Sequence, residues 1–431
     1  MMSRRFYAFL LWLLSPVILG FTLWRAWRRP AYRERWRERF GWGPRRSDRP
    51  IWIHAVSVGE TIAAIPLVRA LQARYPGVPI LVTSTTPTGS AVASQRLGAE
   101  VLQHYLPYDL SAAVTRFLRR QRPRLGIIME TEIWPNLCHA ASREGVPLML
   151  ANARLSQRSL RGYARFRTLF APALASMSAV AAQSSEDAAA FRRLGAEHVV
   201  VTGNIKYDLP EPVAARERGR QWQQRFAGRP VWVFASTHAG EEQMALAALE
   251  DLQRQWPDLL LVLIPRHPSR RLEVMARMQA KGVSFALRSR AEDVGGRAVF
   301  LIDTLGEVMD FYAAADVVTI GGSFVPAGGH NPLEAAALAR PVTFGPYMDN
   351  FKGITQDLLA ANAAVQVVDV EALVAQLGAW LTTQEPATEM GDRALAFLQQ
   401  QRGALGRTLS LLDHMFRKHF NRDSPSLPAD P

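Results

Sequence analysis

The chain has 431 residues, 48% of them apolar, a formal net charge of +13 and a single cysteine, Cys138. That length exceeds one ordinary core and suits two domains of about 150–200 residues, and one cysteine excludes an intrachain disulfide or a cysteine-based zinc cluster. The charge is not a stripe for nucleic acid: the first 50 residues hold 12 Arg against 3 acidic residues and so carry +9 of the +13.

Residues 6–24 form an uncharged apolar run of 19. As a helix it reaches about 28 Å at about 1.5 Å per residue, close to a hydrocarbon core of roughly 30 Å. Tyr7, Trp24 and Trp27 lie near its edges. Arg4 and Arg5 precede it, and Arg25, Arg28, Arg29, Arg33, Arg35, Arg37 and Arg39 follow it. The positive-inside rule then sets the bulk of the chain in the cytoplasm, beside a single N-terminal anchor. No small-x-small site follows the run, so a retained anchor is expected rather than a cleaved signal. Pro16 and Gly20 leave a bent placement in one leaflet open beside a spanning one. The arginine collar suits anionic lipid headgroups, or serves only to signal topology.

Beyond the collar, apolar strands are expected at 51–56, 80–84, 125–129, 148–151, 180–182 and 199–202, with helical patterns between them, notably 61–73 and 89–97. Short buried strands joined by helical crossovers imply a parallel, doubly wound sheet. Residues 206–229, with Pro210 and Pro212, read as a linker and a surface helix. The pattern restarts at 231–235, 259–264, 299–302, 317–320 and 341–344. Residues 388–419 read as helical and 421–431 as disordered. The expected organisation is an anchor at 1–28, a Rossmann-like domain at 29–207, a second at 208–390, a helical region at 391–420 and the tail. Two such domains would face a cleft at the carboxyl ends of their strands.

The residues that could carry chemistry follow those strand ends. Gly321 to Ala337, GGSFVPAGGHNPLEAAA, runs from a strand through a Gly-rich loop into an Asn-Pro-Leu-Glu helix start, with Asn331 as the cap and Pro332 as the first helical residue. Glycines admit close backbone approach, and a helix start favours a phosphate; a well-capped helix after a flexible loop is the plainer reading. Glu60 follows the first strand and is either a proton acceptor or a first-turn carboxylate set against the helix dipole. His54 reads as a buried strand residue. Glu130 and Glu132 follow a buried strand as site groups or as caps. Lys206 ends the first pattern, to meet an anion or to sit in solvent. Arg266 and His267, held between Pro265 and Pro268, suit phosphate recognition, and Gly306, Glu307 and Val308 offer backbone amides. Arg154, Arg158, Arg161, Arg165 and Arg167, interleaved with Leu155, Tyr163, Phe166, Leu169 and Phe170, read either as a second membrane-facing surface or as an ordinary amphipathic helix. There is no Walker motif, no Gly-x-Gly-x-x-Gly after the first strand, no His-Glu-x-x-His and no Asp-x-Asp, so neither metal nor cofactor is expected.

Taken together, Ser57-Val-Gly-Glu60, Met129-Glu-Thr-Glu-Ile-Trp-Pro-Asn136, Ser236-Thr-His238, Pro265-Arg-His-Pro268 and Gly328-Gly-His-Asn-Pro-Leu-Glu334 closely resemble the Kdo transferases, from the anchor to about residue 410. The resemblance implies an α/β, GT-B type glycosyltransferase with two Rossmann-like domains. Such an enzyme moves 3-deoxy-D-manno-octulosonic acid (Kdo) from CMP-Kdo to the lipid A precursor at the inner membrane, with inversion and without metal. It further implies Glu60 as general base, and Glu130 and Lys206 as transition-state stabilisers. Arg266, His267, Gly306, Glu307, Val308, Asn331, Pro332, Leu333 and Glu334 would hold CMP. The competing readings are another sugar nucleotide on the same fold, or a non-catalytic tethered scaffold.

Overall fold

The computed structural model describes residues 2–420; the tail expected to be disordered at 421–431 lies outside them. The apolar N-terminal run is not one helix. It forms α1 (Arg4–Leu13) and α2 (Ser15–Arg28), bent by 52°. The cause is Pro16, which sits in the first turn of α2 and has no N–H to continue the ladder of α1. Among the described residues no single helix is long and apolar enough to cross a membrane, although the bent pair passes that test together. Both helices are tied to the domain beneath: Tyr7 Oη donates to Asp109 Oδ2 at 3.1 Å, and the Thr22 and Tyr108 hydroxyls meet at 2.8 Å. Phe9, Trp12, Val17 and Trp27 remain exposed.

Part of the arginine collar is structural. Arg39 is buried, donates to the Thr85 carbonyl at 2.8 Å and stacks on Tyr105, and Arg35 donates to Ser90 Oγ at 2.6 Å. The collar therefore folds back onto the first domain, and its guanidiniums are not all free for lipid.

Two compact units follow. The first comprises residues up to Asp208 together with those from Arg402 onward. Its seven strands are β1 (Ile51–His54), β2 (Ile80–Ser84), β3 (Val101–Tyr105), β4 (Leu125–Met129), β5 (Leu148–Ala153), β6 (Ala179–Ala182) and β7 (Val199–Val201). They form one parallel sheet in the order β3-β2-β1-β4-β5-β6-β7. The crossovers are α3 (Val58–Arg74), α4 (Pro87–Leu97), α5 (Ser111–Gln121), α6 (Pro135–Arg143), α7 (Gln157–Arg165), α8 (Arg167–Ala175) and α9 (Ser185–Leu194). Side chains alternate across the sheet: Trp52 enters one core with Phe117 and Leu150, while Ile51 and Ile53 enter the other with Leu67 and Met149. Gly126 of β4 makes room for Trp52, since a Cβ there would come within 2.6 Å of the indole.

The second unit, Leu209–Gln401, begins with α10 (Val213–Arg225). It repeats the plan with β8 (Val231–Thr237), α11 (Glu241–Gln253), β9 (Leu260–Pro265), α12 (Arg271–Ala280), β10 (Phe285–Leu287), β11 (Val299–Leu301), α13 (Val308–Ala314), β12 (Val317–Ile320), α14 (Leu333–Ala336), β13 (Val342–Phe344), α15 (Lys352–Ala360), β14 (Val365–Gln366), α16 (Val370–Thr382) and α17 (Gln384–Gln401). The parallel order is β10-β11-β9-β8-β12-β13-β14. The last helix, α18 (Ala404–Phe420), returns to the first unit, so residues 391–401 lie in one unit and 402–420 in the other. It is held there by Asp413, which accepts from Arg74 Nε at 2.9 Å, and by burial of Leu412 and Met415, worth about 2 kcal/mol each.

Candidate active site

In both units the singled-out residues gather at the carboxyl ends of strands. In the first, β1 ends at His54 and α3 begins four residues later. Ser57 caps α3, its Oγ accepting from the Glu60 N–H at 3.3 Å, while Glu60 Oε2 accepts from the Val56 N–H at 2.7 Å. This resembles a capping box, with the return bond shifted to the N–H one residue before the cap, so the plainer reading of Glu60 is fulfilled. The carboxyl is nevertheless perturbed: burial, then the charges of Glu130 and Glu132, push it up to about 7 against the Val56 and Ser57 hydrogen bonds. A group that titrates at neutral pH can both accept and return a proton there. His54 is fully buried, its Nδ1 2.9 Å from Thr83 Oγ1, and burial lowers it to about 4. It is a strand residue, as expected. Burial also pushes the Cys138 thiol up to about 12, which leaves no thiolate at neutral pH.

Glu130 ends β4 in the left-handed region, with φ of 58°, and is 5% exposed. A non-glycine residue held so costs of order 1–3 kcal/mol. What holds it is a charge network: Lys206 Nζ lies 2.7 Å from Oε1 and Arg154 Nε 3.1 Å from Oε2. Lys206 is fixed in turn by Asn204, whose Oδ1 accepts from its N–H at 3.0 Å. Glu132 accepts from Trp134 Nε1 at 2.7 Å, and burial raises it. Three carboxylates and two cations thus act on one another after β1, β4, β5 and β7. Sequence reasoning found Glu60, Glu130 and Lys206 but placed Arg154 only on a segment read either as a membrane-facing surface or as an ordinary amphipathic helix, and the burial favours the second. Leu155 and Leu169 are buried, Tyr163 and Phe170 pack against the core, and of the interleaved apolar residues Phe166 alone stays exposed. Apolar residues at helical spacing go to the core here.

In the second unit β8 carries a register break at Ser236, whose φ is 62°, just before Thr237 and His238. Glu241 opens α11 and is almost fully buried. Its carboxylate accepts from the N–H groups of His238 (2.8 Å), Gly322 (2.7 Å), Ser323 (3.0 Å) and Phe324 (3.0 Å). One carboxylate therefore fixes the start of the Gly-rich loop, a role the sequence reading missed. The signal available was a glutamate directly after Gly240 at a strand-to-helix turn. Gly321 must lack a side chain, because a Cβ would lie 2.6 Å from the Ser236 carbonyl. His238 Nε2 and His330 Nε2 stand 3.0 Å apart; burial, with Arg266 beside it, lowers His330 to about 4.

Arg266 and His267 are exposed after β9. The Arg266 N–H donates to the Thr237 carbonyl at 3.0 Å, and its guanidinium makes no ion pair among the described residues. Gly306 adopts φ of 88°, Glu307 is bound through its side chain to Arg288 at 2.8 Å, and α13 starts at Val308 without a side-chain cap. At the Asn331 motif the helix starts one residue later than expected. Pro332 is the cap, α14 is one turn, and Asn331 Oδ1 accepts from the Leu333 N–H at 3.1 Å. The Asn331 amide also donates to Glu334 Oε1 at 3.3 Å, while Leu333 itself is core. One turn aligns few peptide dipoles, so α14 offers a bound anion little charge stabilisation. Among the described residues no group of three or more His, Cys, Asp or Glu side chains is placed to hold a metal ion.

Comparison with known proteins bears on both units. A family model for 3-deoxy-D-manno-octulosonic-acid transferase matches residues 34–209. The chain is 41% identical to the 3-deoxy-D-manno-octulosonic acid transferase of Bordetella pertussis over 96% of this chain and 99% of that one. It is 39% identical to that of Haemophilus influenzae over 95% and 98%. Among solved structures, MurG from Acinetobacter baumannii matches 85% of this chain and 100% of its own at a TM-score of 0.55 and 14% identity, a likeness of fold alone.

Proposed function

The chain belongs to the Kdo transferases, a family of glycosyltransferases, and we propose that it moves Kdo from CMP-Kdo to a lipid A precursor, with inversion and without a metal. The observation that carries this reading is Glu60, a carboxyl raised to about 7 at the end of the first strand by burial and two neighbouring glutamates. An ordinary glutamate near pKa 4.3 is a weak base; one near 7 is matched to a hydroxyl that loses its proton as it attacks.

In the proposed step the acceptor hydroxyl oxygen bonds to the anomeric carbon of Kdo, and its proton passes to Glu60. The bond from that carbon to the phosphate oxygen breaks, and CMP leaves with the electron pair. Lys206, held by Glu130, faces the fixed carboxylate that Kdo carries, while the sugar ring gains positive charge as CMP leaves. The guanidinium of Arg266, without an ion pair among the described residues, takes the charge gathering on the departing phosphate. His267 and the backbone at Gly306, Glu307 and Val308 hold the base. Asn331 and Glu334 take the ribose hydroxyls, on a turn built by Pro332 and Leu333. Positive side chains in place of an acidic ligand pair support a metal-free step.

The proposal extends to the inner membrane, with the catalytic units on the cytoplasmic side. It favours α1 and α2 lying in one leaflet. Their bend, their exposed Phe9, Trp12, Val17 and Trp27, and their ties to Asp109 and Tyr108 support an in-plane placement. The test of the chemistry is the pH dependence of kcat with CMP-Kdo and a tetra-acylated lipid A precursor. Turnover rises with pH through about 7 as Glu60 loses its proton. In Glu60→Gln it disappears while CMP-Kdo still binds. Near-normal turnover in that variant removes Glu60 from the mechanism.

A further inference from the structure

Strand β5 ends irregularly. Its pairing with β6 breaks between Leu150 and Ala153, and Asn152 stands in that break with φ of 52°. Asparagine is among the few side chains that enter the left-handed region readily. Its carbonyl accepts from Gln183 Nε2 at 2.9 Å, and the carbonyl of Ala151 accepts from the Glu130 N–H at 2.9 Å. The turn at Asn152 interrupts the two-residue alternation of the strand. The first residue beyond β5 is Arg154, whose Nε lies 3.1 Å from Glu130 Oε2.

The Asn152 side chain is fully buried, and its Oδ1 accepts from the Ile205 N–H at 3.0 Å. Ile205 opens the short turn Ile205–Tyr207. The next residue is Lys206, whose Nζ lies 2.7 Å from Glu130 Oε1 and whose N–H is held by Asn204 Oδ1 at 3.0 Å. Two consecutive N–H groups are thus held by two asparagine oxygens, one of them supplied by β5. The other end of the Asn152 amide is idle: Nδ2 is buried without a partner among the described residues. A buried donor without an acceptor is a cost to the fold, so the amide is kept for its oxygen. Glycine would take the same φ without that cost, yet would offer the Ile205 N–H nothing.

We propose that Asn152 is the positioning residue of this charge network: it sets both cations on Glu130, Arg154 through its backbone turn and Lys206 through its side-chain oxygen. The assignment rests on the proposed transfer for what Lys206 then does, but the placement itself can be read with no substrate present. The full chain is treated with limiting acetic anhydride and each lysine is followed by peptide mass spectrometry, with Lys281 and Lys352 of the second unit as references. Asn152→Gly keeps the turn and removes the oxygen. Lys206, released from Glu130, should then be acetylated about two- to tenfold faster, the change that goes with one hydrogen bond. Asn152→Asp keeps an acceptor for Ile205 and should leave Lys206 as slow as in the wild type; this variant decides alone if Asn152→Gly does not fold.

The pH dependence of kcat reads the consequence. Glu60 faces the charges of Glu130 and Glu132, and Lys206 and Arg154 offset that of Glu130. With Lys206 gone from Glu130, the limb near 7 should rise by about half a pH unit. In a Lys206→Met background Asn152→Gly should move it no further, since the residue acts through Lys206. Unchanged acetylation of Lys206 in Asn152→Gly, fast acetylation in Asn152→Asp, or additive shifts of the limb each overturn the proposal. A wild type without transfer, or without a limb near 7, counts against the transfer reading instead, and acetylation still decides the placement.

Discussion

Glu60→Gln should stabilise the fold, and should do so more at pH 8 than at pH 5. Glu60 titrates at about 7 in the folded chain against an ordinary 4.5. The folded state therefore holds this proton more tightly than the unfolded state does. Below about pH 4.5 both states are protonated and the group costs nothing; above about pH 7 both are ionised and the folded state bears the whole penalty. The gap, at about 1.36 kcal/mol for each pH unit, comes to about 3 kcal/mol at pH 8 and to less than about 1 kcal/mol at pH 5. Glutamine keeps an oxygen for the Val56 N–H, 2.7 Å away in the wild type, so the cap survives at both pH values. At about 2–4 °C per kcal/mol for a unit of this size, the variant should melt about 6–12 °C higher at pH 8 and within about 4 °C of wild type at pH 5. Calorimetry at the two pH values reads this directly. An equal change at both, or a larger gain at pH 5, refutes the account of why Glu60 is perturbed.

Lys206→Met leaves Glu130 with Arg154 alone and should destabilise the first unit by about 2–3 kcal/mol; in a double-mutant cycle Glu130→Gln should recover at least about 1 kcal/mol of that loss. Arg266→Ala should lower CMP-Kdo affinity about 10–100-fold by calorimetric titration with an unchanged melting temperature, because its guanidinium makes no ion pair among the described residues. Glu241→Gln sets a donor against backbone donors and should cost the second unit about 2–4 kcal/mol, with faster hydrogen exchange at Gly322, Ser323 and Phe324. Unchanged exchange at those three amides would remove Glu241 from its role in the loop.

Central strands were legible because they are buried on both faces and read as unbroken apolar runs. β2, β4 and β12 fall on the expected residues, and several neighbours differ by one or two at their ends. The three strands that escaped the pattern, β3, β10 and β14, are all sheet edges. An edge strand needs less apolar surface: β3 carries Gln103 and His104, and β14 is two residues long. The apolar N-terminal run was legible in composition, and of the two shapes its sequence left open Pro16 decided for the bent one. Glu60, Glu130, Lys206 and Arg266 could be named from their positions after strands. What could not be read was which charges meet. The Arg154–Glu130 contact and the Glu241 knot join residues 24 and some 80 positions apart, and the left-handed Glu130 and Ser236 have no signature in residue type.

The central claim is the transfer itself. Purified protein is incubated with CMP-Kdo, a tetra-acylated lipid A precursor and a chelator, and the lipid product is weighed by mass spectrometry. The account predicts a product heavier by one or more Kdo units, formed despite the chelator and absent in Glu60→Gln. A folded protein that leaves the lipid unchanged while CMP-Kdo stays intact contradicts it.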